Sequence, residues 1–75
     1  MPVLVRLQYC VIAMYADDHN PPHFHVEAPD GRAMLDIRTL EVIEGGVGRQ
    51  ALKEARNWAD ANRDRLWKTW QEYHS

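Results

Sequence analysis

The sequence predicts an α+β domain: an antiparallel β-meander of three to four strands followed by one or two C-terminal helices packed on the sheet. Three observations predict it. The N-terminal half alternates short apolar, β-branched runs with clusters of turn formers. From Val47 onward the apolar residues recur at helical spacing instead. At 75 residues the chain makes a single domain, 1–75, and a domain of this size buries only about 60% of the surface its unfolded chain exposes.

Val3 to Leu7 and Tyr9 to Tyr15 form the first two strand candidates, the second apolar at every position, as a central strand is. Asp17-Asp18-His19-Asn20-Pro21-Pro22 ends that strand, because neither proline donates an N–H and each restricts the residue before it. His23 to Ala28 then alternates, with Phe24, Val26 and Ala28 on one face and His23, His25 and Glu27 on the other. Asp30-Gly31 is a strong two-residue hairpin signal. A loop there pairs Ala28 with Ala33, Val26 with Leu35, Phe24 with Ile37, and His25 with Asp36. Thr39 to Glu44 offers one more strand before Gly45-Gly46 breaks the pattern.

Val47, Ala51, Leu52, Ala55, Trp58 and Ala59 form one helical stripe, which Leu66, Trp70 and Tyr73 continue beyond the polar Asn62. One unbroken helix to His74 would be about 40 Å long, so a break is predicted near Ala61 to Arg63, with Asp64 in the first turn of the second helix. The predicted core is Val11, Ala13, Phe24, Val26, Leu35, Ile37, Leu52, Ala55, Trp58 and Trp70.

Composition narrows the functional classes. With 45% hydrophobic and 27% charged residues the chain is a folded globular protein. Its single cysteine, Cys10, allows no internal disulfide or cysteine-based metal cluster, and suits a reducing, cytoplasmic setting. The longest apolar stretch is far short of the ~20 residues of a membrane span, so no membrane contact is expected. A net charge of −2 draws no nucleic acid by its overall field. The interspersed charges of the helical half, including Arg49, Lys53, Arg56, Arg63, Arg65 and Lys68, read first as a solvated face and second as a phosphate-binding surface.

Asp17 to Glu27 is the candidate site. A metal reading uses His19, His23, His25 and Glu27 around a divalent ion, since His-x-His is a metal-ligand spacing; no other cofactor is expected. A catalytic reading uses His25 as general acid/base beside Asp36, with His23 in support and Asp17, Asp18, Arg32 or Arg38 as further participants, acting on a phosphodiester such as RNA. An ordinary reading leaves the histidines bonded to loop backbone or covered by a neighbour. A protein partner, or a second copy in a small homo-oligomer, would meet Asp18, His19, Asn20, Arg32 and the stripe-edge Trp67.

Met14-Tyr15, Asp18-His19-Asn20-Pro21-Pro22-His23-Phe24-His25-Val26, Asp36-Ile37, Ala51-Leu52, Trp58-Ala59, Arg63-Asp64 and Trp70 together resemble the small bacterial family catalogued as domain of unknown function 4160. The chain departs from that family at Glu44 to Arg49, the lead into the helix. The resemblance implies a member of a toxin–antitoxin-associated pair encoded beside another small protein, without an established activity, and the leading expectation is a toxin–antitoxin-type or accessory regulatory module that binds that partner, with the histidine-rich segment as its functional surface. A histidine-dependent ribonuclease toxin and a metal-binding structural domain are the alternatives.

Overall fold

The computed structural model describes residues 2–74. Five strands run in chain order as one antiparallel meander: β1 (Val3–Arg6), β2 (Val11–Ala13), β3 (His23–Ala28), β4 (Gly31–Asp36) and β5 (Val42–Gly46). Two helices follow, α1 (Arg49–Ala61) and α2 (Arg63–Tyr73). The class and topology agree with the sequence; the strands number five rather than three to four, because every N-terminal run pairs and Val42–Gly46 adds another.

The helices cover one face of the sheet. Ile12, Phe24, Val26, Ala33, Leu35 and Ile37 on that face are each no more than 2% exposed. Against them α1 lays Ala51, Ala55 and Ala59, spaced four apart and all buried, and α2 adds Leu66 and Trp70. Of the expected core positions Val11 needs correction, and Ala13 is buried as expected but not on the helix-covered face. Because the β2 run is apolar throughout, alternation could not choose its inner face, and pairing of Ile12 with Val26 puts Cys10, Ile12 and Met14 inside. Val11 is half-buried and Ala13 is buried on the opposite face, across from His25. Leu52 and Trp58 are half-buried at the margin of the core.

The β3–β4 register differs from the expected one by two residues. Ala28 pairs with Gly31, so the turn is Pro29-Asp30, and Val26 pairs with Ala33, Phe24 with Leu35, and His23 with Asp36. Proline suits the first corner of a turn through its fixed φ. Gly31 belongs to the strand, where a Cβ would stand 2.6 Å from the Gly46 carbonyl oxygen. A shift of two keeps the alternation, so the apolar face survives, but His25 meets Met34 and the predicted His25–Asp36 pair does not form.

Asp36 instead organises the next turn. Its Oδ1 accepts from the backbone N–H of Arg38 at 2.7 Å and of Thr39 at 3.3 Å, and Leu40 N–H donates to the Asp36 carbonyl. Leu40 takes a positive φ of 62° to bury its side chain, which consumes the start of the expected Thr39–Glu44 strand. The strand therefore begins at Val42 and runs through Gly45-Gly46. Gly45 has φ +76°, and a Cβ there would lie 2.3 Å from the Arg32 carbonyl oxygen.

The helix break falls where predicted. Asn62 ends α1 and precedes α2, its backbone N–H donating to Ala59 and its Nδ2 to the Trp58 carbonyl at 2.8 Å, while Asp64 occupies the first turn of α2. The longest dimension of the domain is 33 Å, too short for a single helix of this span.

Polar side chains from the helices hold the sheet turns. The Glu54 carboxylate accepts from Gln8 and Tyr9 N–H at 3.0 and 2.8 Å. Arg56 donates to the Leu40 carbonyl, Arg63 to those of Ile37 and Arg38, and Arg65 to that of Leu4. Three members of the basic helical population are thus committed to backbone carbonyls, which counts against a free phosphate-binding face.

Two outcomes follow from this packing. Phe24→Ala should destabilise the domain by about 3–5 kcal/mol, read as a loss of most of the urea-unfolding free energy. Cys10 is buried beside Glu54, and burial first, then the carboxylate's hydrogen bond and charge, push its thiol up from 9.0 to about 12. Its thiolate is roughly a thousand times scarcer than that of an unperturbed cysteine. A thiol-specific reagent at pH 8 should leave native Cys10 essentially unlabelled and modify it rapidly in urea.

Candidate functional site

The loop between β2 and β3 folds back on itself through Asp18. Tyr15 N–H donates to Asp18 Oδ2 at 3.1 Å, and Asp18 N–H donates to the Tyr15 carbonyl at 3.2 Å. This turn aims the Asp18 carboxylate at the first residues of β3. His25 Nε2 lies 3.2 Å from both Asp18 oxygens, and His23 Nε2 lies 3.7 Å from Oδ2. The two imidazoles project from alternate positions of the strand with centroids 5.2 Å apart.

His23 is 3% exposed. Its Nδ1 is 2.7 Å from the Pro21 carbonyl oxygen, which can only accept, so Nδ1 carries a proton and donates. In the neutral ring Nε2 then presents a lone pair, and that atom is buried without a hydrogen-bond partner among the described residues. His25 is more open and packs edge-on against Tyr15 at 4.8 Å. The hydroxyl of Tyr15 donates to Glu27 at 2.7 Å, and that bond is the first cause of a raised Tyr15 pKa.

The predicted residues therefore sort into different roles. Asp18, His23 and His25 converge, their ligand atoms all within 4.8 Å of one another. Glu27 is held by Tyr15 and faces Arg32 across the ladder. His19 and Asn20 are exposed on the loop, and His19 does not join the cluster. Asp36, assigned to His25 by the expected register, caps the β4–β5 turn instead. Trp67 is half-buried against the core rather than projecting from it. Asp18 takes the part given to Asp36, which strand alternation could not reveal because Asp18 acts from a loop.

His74 was not singled out by its sequence. Its Nδ1 lies 2.7 Å from the Trp70 carbonyl oxygen and its Nε2 2.6 Å from that of Asp18, while its ring stacks on Trp70 at 3.9 Å. Trp70 in turn meets His23 at 5.5 Å. A chain of rings thus links the end of α2 to the cluster. The one available signal was the four-residue spacing of Trp70 and His74 on a helix.

The loop, Met34 and the β5 residues Ile43 and Glu44 border an open cleft of about 460 Å³ that reaches Asp18 and His23. Together these features define a small α+β domain with a carboxylate–imidazole cluster at the start of its central strand. By sequence the chain belongs to the family described as Domain of unknown function (DUF4160), whose model matches residues 10–71. No curated protein and no solved structure matches it. Among the described residues no helix is long and apolar enough to cross a membrane.

Both ring nitrogens of His74 face carbonyl oxygens, so both bonds exist only in the imidazolium. These bonds, to Trp70 first and Asp18 second, raise its pKa above 6.5. The folded-state pKa is the higher one, so the associated stabilisation is complete below the unfolded value and is lost as pH rises through the folded value. NMR titration should give a His74 midpoint above 6.5, and amide protection factors around Asp18, corrected for the intrinsic rate, should fall as the pH passes it.

Proposed function

We propose that this chain is a small regulatory module of the toxin–antitoxin type that acts by binding a protein partner encoded beside it. The observation that supports this reading is the open edge strand β5, whose five residues are all exposed. Edge strands present unpaired N–H and C=O groups and are usually blunted by Pro, Lys or a covering segment. The opposite edge is blunted, because Arg65 occupies the Leu4 carbonyl. β5 has neither Pro nor Lys; its bulge opposite Met34 and Leu35 and the charge of Glu44 blunt the edge in part, but the bulge also lifts Ile43 out of the ladder, 44% exposed beside Val42 at 39%. A partner strand added here would gain main-chain bonds from the edge and side-chain specificity from the adjoining cleft and histidine-rich loop.

The test is co-expression with the neighbouring gene product and measurement of the complex. Ile43→Lys should weaken association by about tenfold or more and leave the melting temperature nearly unchanged, since the side chain supports no core contact. Association unaffected by Ile43→Lys would remove β5 from the interface.

A catalytic reading draws on one observation, the 3.2 Å approach of Asp18 to His25 Nε2. A carboxylate so placed orients an imidazole for proton transfer, as a ribonuclease would use it. This reading requires RNA cleavage that His25→Ala abolishes. Complex formation without cleavage leaves the partner-binding module standing alone.

A further inference from the structure

We propose that Asp18, His23 and His25 bind one divalent transition-metal ion of the zinc class. The inference does not depend on the partner-binding reading. It starts from His23, whose Nε2 is buried without a hydrogen-bond partner among the described residues while Nδ1 donates to the Pro21 carbonyl at 2.7 Å. A backbone carbonyl on the far nitrogen is the arrangement that fixes the tautomer of a metal-bound imidazole and turns the lone pair toward the ion.

The surroundings of that lone pair favour a cation. An ionised Asp18 carboxylate has no proton to give, so Nε2 and Asp18 Oδ2, 3.7 Å apart, are two acceptors facing each other. An ion between them converts repulsion into two bonds. A doubly protonated His23 paired with Asp18 is the competing arrangement, but charge-assisted N–H···O bonds are ~2.7–2.9 Å long. The observed gap is too wide for one.

Both distances from Asp18 are near those of a small tetrahedral ion. Ligand bonds of ~2.0–2.1 Å place neighbouring donors about 3.3–3.4 Å apart. The Asp18–His25 and Asp18–His23 separations are 3.2 and 3.7 Å; with the three donors spread over up to 4.8 Å, the imidazoles draw together when one ion binds all three. Two imidazoles and one carboxylate select zinc, cobalt, nickel or copper over magnesium or calcium, which prefer all-oxygen shells. Three protein ligands leave a further position open, here toward the cleft that Asp18 and His23 line. The ion would tie the loop to β3 and, through His23 and Trp70, to α2.

The test uses the full chain, stripped with a chelator and titrated with Zn²⁺ alone by calorimetry, with Co²⁺ absorption to report the geometry. One ion per chain is expected, with a rise in melting temperature on saturation. Asp18→Asn and His25→Ala should each weaken binding on the order of a hundredfold, whereas His19→Ala and Glu27→Gln should leave it within about twofold. Metal-free melting curves establish that each variant is folded, and the near-isosteric Asp18→Asn keeps the test valid if His25→Ala does not fold. Absence of saturable binding, or wild-type affinity in Asp18→Asn, would overturn the site. Loss of binding in His19→Ala would do so equally, since it would move the ion to the exposed loop.

Discussion

Everything in this domain depends on how closely α1 can approach the sheet. Ala51, Ala55 and Ala59 present three methyl groups along one line of the helix, all buried. Opposite them stand the large side chains of β2 to β4, among them Ile12, Phe24, Val26 and Leu35. Small residues on the helix and large ones on the sheet fill the same layer without competing for volume, as dense packing requires. A single-layer core is all that 75 residues allow, and total stability at this length is about 4–11 kcal/mol. The domain therefore has little margin for a misplaced group.

That constraint explains the use of long polar side chains. Turns between short strands leave carbonyls and N–H groups that a thin domain cannot bury against other backbone. Arg56, Arg63 and Arg65 reach from the helices to such carbonyls, and Glu54 accepts two turn N–H groups. Each contact also clamps a helix to a particular turn. Arg63 shows both roles, because it bonds Asp60 one turn earlier and the β4–β5 turn at the same time. The charges that look like a solvated face in one dimension are structural ties in three.

The class of fold, the order of its elements, the apolar face of the hairpin and the break at Asn62 were all legible, because each is written in a local period or a local breaker. The details that were not legible depend on contacts distant in sequence. Gly31 looks like a turn residue until Gly46 is seen passing close to it. Val11 and Ala13 cannot be told from Ile12 and Met14 until Val26 selects between them. The partner of His25 was sought on the facing strand, where a register argument could find it, whereas it sits on a loop whose path no periodicity describes. His23 and His25 were recognised as one face of one strand and Asp18 as a candidate beside them; that its carboxylate joins the two required the fold.

His23 departs from the economy seen elsewhere. A domain with so small a core buries an imidazole nitrogen with no hydrogen-bond partner among the described residues, at a cost of about 1–3 kcal/mol. The arrangement is no accident of a loose loop: Pro21 holds one side of the ring by a hydrogen bond, Trp70 lies against it, and Ile37 N–H secures the preceding Pro22 carbonyl. Two neighbours thus hold the ring with its lone pair toward Asp18, and a third fixes the backbone just before it. An unpaired nitrogen held in place by its surroundings is what the proposed metal ion would satisfy. The polar end of β3 is thus where this domain gives up stability, and the cleft beside β5 opens onto the same end.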